Sequence, residues 1–61
     1  MVKLTFDDGS VTVIRACEWR SVRRNGVTGV ARVRTLATGD AIVGEAGLTT
    51  IVGIEEVDSR A

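Results

Sequence analysis

Sixty-one residues make one small domain, because chains below about 70–80 residues close only a single modest core. Eight basic and eight acidic residues cancel, so no overall field draws the chain toward nucleic acid or anionic lipid. One cysteine and no histidine exclude an internal disulfide, a histidine general base and the common zinc ligand sets. Unusually consistent local structure, or association with copies of itself or with a partner, is then the remaining support for a core of this size.

Ten Val, four Ile and seven Thr make 21 of 61 residues β-branched, against three Leu, one Met and one Phe. Such side chains are stiff at χ1 and fit a pleated sheet better than a helix. Seven glycines supply turn positions, and there is no proline to interrupt pairing. Seven arginines against one lysine, with abundant Ala, Gly and Val, read as GC-rich coding and point to a GC-rich bacterium or one of its phages. The opening Met1–Asp8 lacks the apolar core of a signal peptide. No apolar run reaches the roughly 20 residues a membrane helix needs. A cytoplasmic protein with no membrane association is expected, and the lone Cys17 fits a reducing compartment.

Val2–Phe6 alternates apolar and polar residues, as does Val11–Ile14, with Asp8-Gly9 between them. Asp-Gly between alternating runs signals a two-residue type I′ hairpin. Phe6 is then expected opposite Val11 and Leu4 opposite Val13. All four would share the core face with Val2, leaving Lys3, Thr5 and Thr12 on the other.

Asn25-Gly26 centres a second hairpin. Counting outward pairs Arg24 with Val27, Val22 with Gly29, Arg20 with Ala31 and Trp19 with Arg32. The arm from Arg15 has the weaker strand character, and an irregular stretch or one helical turn near Ala16–Glu18 is the alternative. Next, Leu36-Ala37-Thr38-Gly39-Asp40 reads as a connection in which Gly39 is left-handed and Asp40 bonds local backbone. Ala41–Val43 is a short strand, Gly44–Gly47 a turn and Leu48–Val57 a longer strand. The fold expected is all-β: a small SH3-like barrel, or a strongly curled antiparallel sheet, of five to six short strands built from hairpins. It spans residues 1–57 as one domain, and 58–61 form a frayed tail.

The segment Val33-Arg34-Thr35-Leu36-Ala37-Thr38-Gly39-Asp40-Ala41-Ile42-Val43, followed by Thr50-Ile51-Val52-Gly53-Ile54-Glu55, resembles a β-element of the Hint fold of inteins and hedgehog autoprocessing domains. There a Leu-x-x-Gly-Asp-x-(Val/Ile) turn leads into a strand. The likeness covers about 25 residues and implies a small barrel. It implies no autoprocessing, because the family's Thr-x-x-His block and terminal His-Asn have no counterpart, and Cys17 is mid-chain.

No catalytic, cofactor or metal site is expected. Asp7 and Asp8 belong to a turn, and adjacent Glu55 and Glu56 point to opposite faces of a strand. Cys17 has no base to pair with and reads as a small buried apolar residue. Charge is nevertheless segregated along the chain. Residues 15–34 hold six arginines and one glutamate, whereas residues 35–61 hold five acids and one arginine. Arg20, Arg23, Arg24, Arg32 and Arg34 are the candidate basic surface, and Glu45, Glu55 and Glu56 the candidate acidic one.

Trp19 shares a face with Ser21, Val30 and Arg32, and period-2 extension adds Cys17, Arg23 and Arg34. As the largest apolar side chain it is expected mainly in the core; at the surface it would offer a stacking platform flanked by guanidinium groups. The function expected is a non-catalytic interaction module acting by protein–protein contact or self-association, with a phage particle or other large assembly as a suitable setting. Nucleic-acid binding by the arginine-rich hairpin with Trp19 is the alternative.

Overall fold

The computed structural model describes residues 1–57. It is all-β, with strands β1 (Val2–Phe6), β2 (Val11–Ile14), β3 (Trp19–Arg24), β4 (Val27–Arg32), β5 (Ala41–Gly44) and β6 (Gly47–Glu56). All pairings are antiparallel, and the strands form one curled sheet in the order β2-β1-β6-β5-β3-β4. Among the described residues the sheet does not close, so β2 and β4 are left as its two edges.

The long strand β6 joins the two halves, pairing with β1 through its C-terminal part and with β5 through its N-terminal part. A bulge makes the bend. Thr5 stands opposite Gly53 and Phe6 opposite Ile51, so Val52 is the extra residue. An inserted residue raises local twist and reverses the inside–outside alternation beyond it, which lets one strand serve both halves of the core.

The first hairpin departs by one residue from the expected register. Thr5, not Phe6, faces Val11, and Lys3, not Leu4, faces Val13. The loop has three residues. Gly9 N–H donates to the Phe6 carbonyl at 3.0 Å, Phe6 N–H donates to the Ser10 carbonyl at 2.9 Å, and Gly9 alone among the loop residues has positive φ (+87°). This is a turn followed by a glycine bulge rather than a two-residue I′ loop. Asp8 accounts for the difference, since its Oδ1 accepts from the Ser10 backbone N–H at 2.8 Å and from its hydroxyl. A side chain bonded two residues ahead stabilises this longer loop. A one-residue slip moves a whole strand's side chains to the other face. Val11 and Val13 are therefore exposed, and Ile14 enters the core instead.

The second hairpin keeps the expected register from Arg24–Val27 to Trp19–Arg32. Asn25 (φ +52°) and Gly26 (φ +77°) both take the left-handed conformation that a I′ turn requires. Its first arm begins later than Arg15, because Ala16 and Cys17 form a turn closed by Glu18 N–H to the Arg15 carbonyl. After β4 the chain makes one turn of 3-10 helix, Val33–Thr35, which places Val33 in the core.

Val2, Leu4, Phe6, Ile14, Val22, Val33, Leu36 and Ile51 are packed together on the concave side. Leu4, Ile51 and Val33 are almost completely buried. The expected strands Ala41–Val43 and Leu48–Val57 are observed with ends shifted by one residue. The expected fraying of 58–61 lies outside the described residues. Among the described residues no helix is long and apolar enough to cross a membrane.

Candidate interaction surface

Strand geometry divides the arginine-rich hairpin between two faces. On the outer, convex face lie Trp19, Ser21 and Arg23 of β3, opposite Arg32, Val30 and Thr28 of β4. On the inner side lie Arg20, Val22 and Arg24, opposite Ala31, Gly29 and Val27. Only Val22 of these is buried, so the tip of the hairpin projects past the core. A shallow apolar concavity of about 350 Å³ opens there, over Val22 and between Arg24, Val27 and Ala31.

Trp19 is not in the core: it is 54% exposed. Its place is set by the register, which puts buried Val22 on one face of β3 and odd-numbered residues on the other. Leu4, Phe6, Ile51 and their neighbours fill the core without it. The Arg32 guanidinium lies over the indole, 4.9 Å from the ring centroid. Trp19 and Arg32 are directly opposite across the two strands, and Val33 N–H bonds the Glu18 carbonyl at the next pair. They therefore form a non-hydrogen-bonded pair, the kind whose side chains approach most closely.

An apolar row continues from this pair across the sheet. Val30 faces Ser21 and Val43 faces Leu48. The β3–β5 register, Val22 to Ile42 and Arg23 to Ala41, sets Ser21 beside Val43 when continued by one residue. Val30, Val43 and Leu48 are all exposed.

The five arginines do not form one surface. Arg24 is bound to Asp40, with Nε to Oδ1 at 2.9 Å and Nη2 to Oδ2 at 2.6 Å, and its Nη2 also donates to the Thr35 carbonyl at 3.1 Å. Asp40 is the one buried charged residue among those described. It also accepts from the Ala37 backbone N–H at 3.0 Å. The Arg24 guanidinium is the main cause that holds the Asp40 carboxyl below its ordinary range, and desolvation acts in the opposite direction. Arg20 pairs with Glu18 at 3.2 Å on the surface. Arg23 and Arg32 are left facing outward with no carboxylate within salt-bridge distance among the described residues.

Arg34 leaves the strand pattern altogether. It sits in the 3-10 turn, where it lines a small cavity of about 170 Å³ together with Glu56, Val2 and Ile54. One expected basic residue and one expected acidic residue are thus brought together rather than set on opposite surfaces. Glu55 stands opposite Lys3 on the outer face, and Glu45 is in the β5–β6 turn. Cys17 is exposed in the Ala16–Cys17 turn, not buried. The turn ends the alternation that would have put it beside Trp19. Sequence reasoning assigned Asp40 to backbone bonding alone and missed Arg24. Their pairing depends on β3 lying beside β5, which no local pattern announces.

Among the described residues, no three His, Cys, Asp or Glu side chains converge to hold a metal ion. No family model matches the chain, and no curated protein or solved structure is significantly similar to it.

Proposed function

We propose that this chain is a non-catalytic β interaction module, SH3-like in its small curled sheet, that acts by protein–protein contact through its outer face. The observation that carries the reading is the exposed row Val30–Ser21–Val43–Leu48 beside the Trp19–Arg32 pair. A row across four strands, apolar on three of them with Ser21 on β3, presents one strip, and an aromatic and an arginine at its end are the residue types most enriched where proteins bind. A reducing, cytoplasmic setting suits the exposed Cys17. A repeating assembly, of which a phage particle is one kind, suits a small domain with two open sheet edges.

The alternative, nucleic-acid binding, is favoured by the exposed Trp19 with Arg32 stacked on it. Base stacking on such a pair would be accompanied by phosphate contacts. Two of the hairpin's four arginines already have carboxylate partners, which leaves little charge for a phosphate backbone and supports the protein reading. Titrating a mixed-sequence single-stranded oligonucleotide while following Trp19 emission decides between them. No change at low or moderate salt is expected. A change that reverses with added salt, as counterion release requires, would replace protein contact with nucleic-acid binding.

A further inference from the structure

We infer that the partner is a second copy of this chain, added head to tail, with the β4 edge of one copy pairing antiparallel with the β2 edge of the next. This rests on the protein-contact reading and names its occupant. Among the described residues both edges are open: β4 pairs only with β3, and β2 only with β1.

The free backbone groups match the side chains. The Phe6–Ser10 bond makes the even-numbered residues of β2 the ones bonded to β1, so Val11 and Val13 turn their N–H and C=O outward. The Glu18–Val33 bond, with the I′ turn, likewise turns Thr28, Val30 and Arg32 of β4 outward. On both edges the residues with free backbone groups are those whose side chains lie on the outer face. An antiparallel ladder between them therefore keeps the two outer faces on the same side.

Charge sets the register and the choice of edge. With Val11 of one copy opposite Val30 of the next, Gly9 stands opposite Arg32. The Asp7-Asp8 turn then lies alongside a guanidinium that has no carboxylate partner of its own among the described residues. The apolar row is extended from Val30 onto Val11. Pairing β4 with β4 would instead set two arginine-rich hairpins side by side, where like charges oppose docking. A head-to-tail contact does not close on two copies and builds open chains or rings. Four-residue pairing is shorter than a standard interface, so the association is weak and needs high protein concentration.

The test is complementation between two edge-blocked variants. Val11→Pro removes an outward N–H at the start of β2, and Val30→Pro one on the β4 edge, positions where proline is best tolerated in a sheet. Sedimentation at low salt should show the parent chain growing beyond dimers as concentration rises, with growth reduced by salt. Each variant alone should remain monomeric, and an equimolar mixture should form a one-to-one dimer. Val11→Lys and Val30→Lys keep the N–H and serve as the second pair should either proline variant lose its circular-dichroism spectrum. Asp7→Asn should weaken growth about two- to fivefold, as for an exposed charge pair.

A parent chain that stays monomeric at millimolar concentration in low salt overturns the inference, as does either variant dimerising alone. A monomer whose Trp19 ignores oligonucleotide loses only this inference and keeps the protein-contact reading. A monomer whose Trp19 responds to oligonucleotide loses both.

Discussion

Arg24 and Asp40, sixteen positions apart, are joined by two parallel hydrogen bonds that tie the projecting β3–β4 hairpin to the turn before β5. Asp40 is buried and its partner is half-exposed, so the carboxylate is the member that cannot turn to water. Its backbone is held as well, with Asp40 N–H on the Ala37 carbonyl and Ile51 N–H on the Asp40 carbonyl. The pair therefore fixes where the hairpin stands relative to β5 and β6, and with it the outer strip.

Asp40→Ala should destabilise the domain by about 1–3 kcal/mol, because the Ala37 N–H and the Arg24 side chain lose a buried acceptor. In a domain this small, each kcal/mol corresponds to about 4–8 °C in melting temperature. Thermal unfolding followed by circular dichroism measures it. An unchanged melting temperature would mean that the pair is incidental to the fold.

Stability should also fall in acid. The Asp40 carboxyl is held below its ordinary value chiefly by Arg24, so the folded state binds its proton less readily than the unfolded chain. Its contribution is fully present above the unfolded pKa of about 3.9 and disappears as pH falls through the lower folded value. Asp8 is shifted the same way by Ser10, but in full solvent it adds little. Urea unfolding between pH 7 and 3 should show the loss starting near pH 4, and Asp40→Asn should flatten that slope.

Gly39 and Gly29 offer a controlled contrast. Neither has an atom within 4 Å of an added Cβ, but only Gly39 holds positive φ, at +97°. Gly39→Ala should cost about 1–2 kcal/mol from backbone strain alone. Gly29→Ala, in an exposed strand, should be neutral or stabilising by up to about 1 kcal/mol. Chemical denaturation of the two variants checks both; equal effects would remove backbone conformation as the cause.

Trp19 should emit at long wavelength and be readily quenched by acrylamide, since it is exposed. Arg32→Ala should increase quenching and cost about 0.5–1 kcal/mol, the range of a surface cation–π contact. Cys17 should react with a thiol reagent without prior unfolding, since it is exposed. Slow labelling, or blue-shifted emission, would place either side chain inside the protein.

Much of the fold was legible because its determinants are local. The Asn25-Gly26 turn specified the second hairpin down to each pair, since two consecutive left-handed residues permit one loop length. Gly39 was legible for the same reason. The first hairpin misled because Asp-Gly suits both a two-residue loop and a three-residue loop with a glycine bulge. The Asp8–Ser10 bonds chose the longer one, and the faces of Val11 and Val13 changed with that choice.

The candidate surface was legible only in part, and the division has a physical origin. β-Branched composition, period-2 alternation and turn residues act over a few bonds, so the sequence by itself determined an all-β chain and the cross-strand partner of Trp19. Tertiary structure decided which face of β3 turns inward, because that depends on Leu4 of β1, Ile51 of β6 and Val33 of the 3-10 turn having already filled the concave side. It also decided which arginines are engaged. A charge reaches whatever lies within a few ångströms in space, and β3 beside β5 puts Asp40 in reach of Arg24 but leaves Arg32 over an indole.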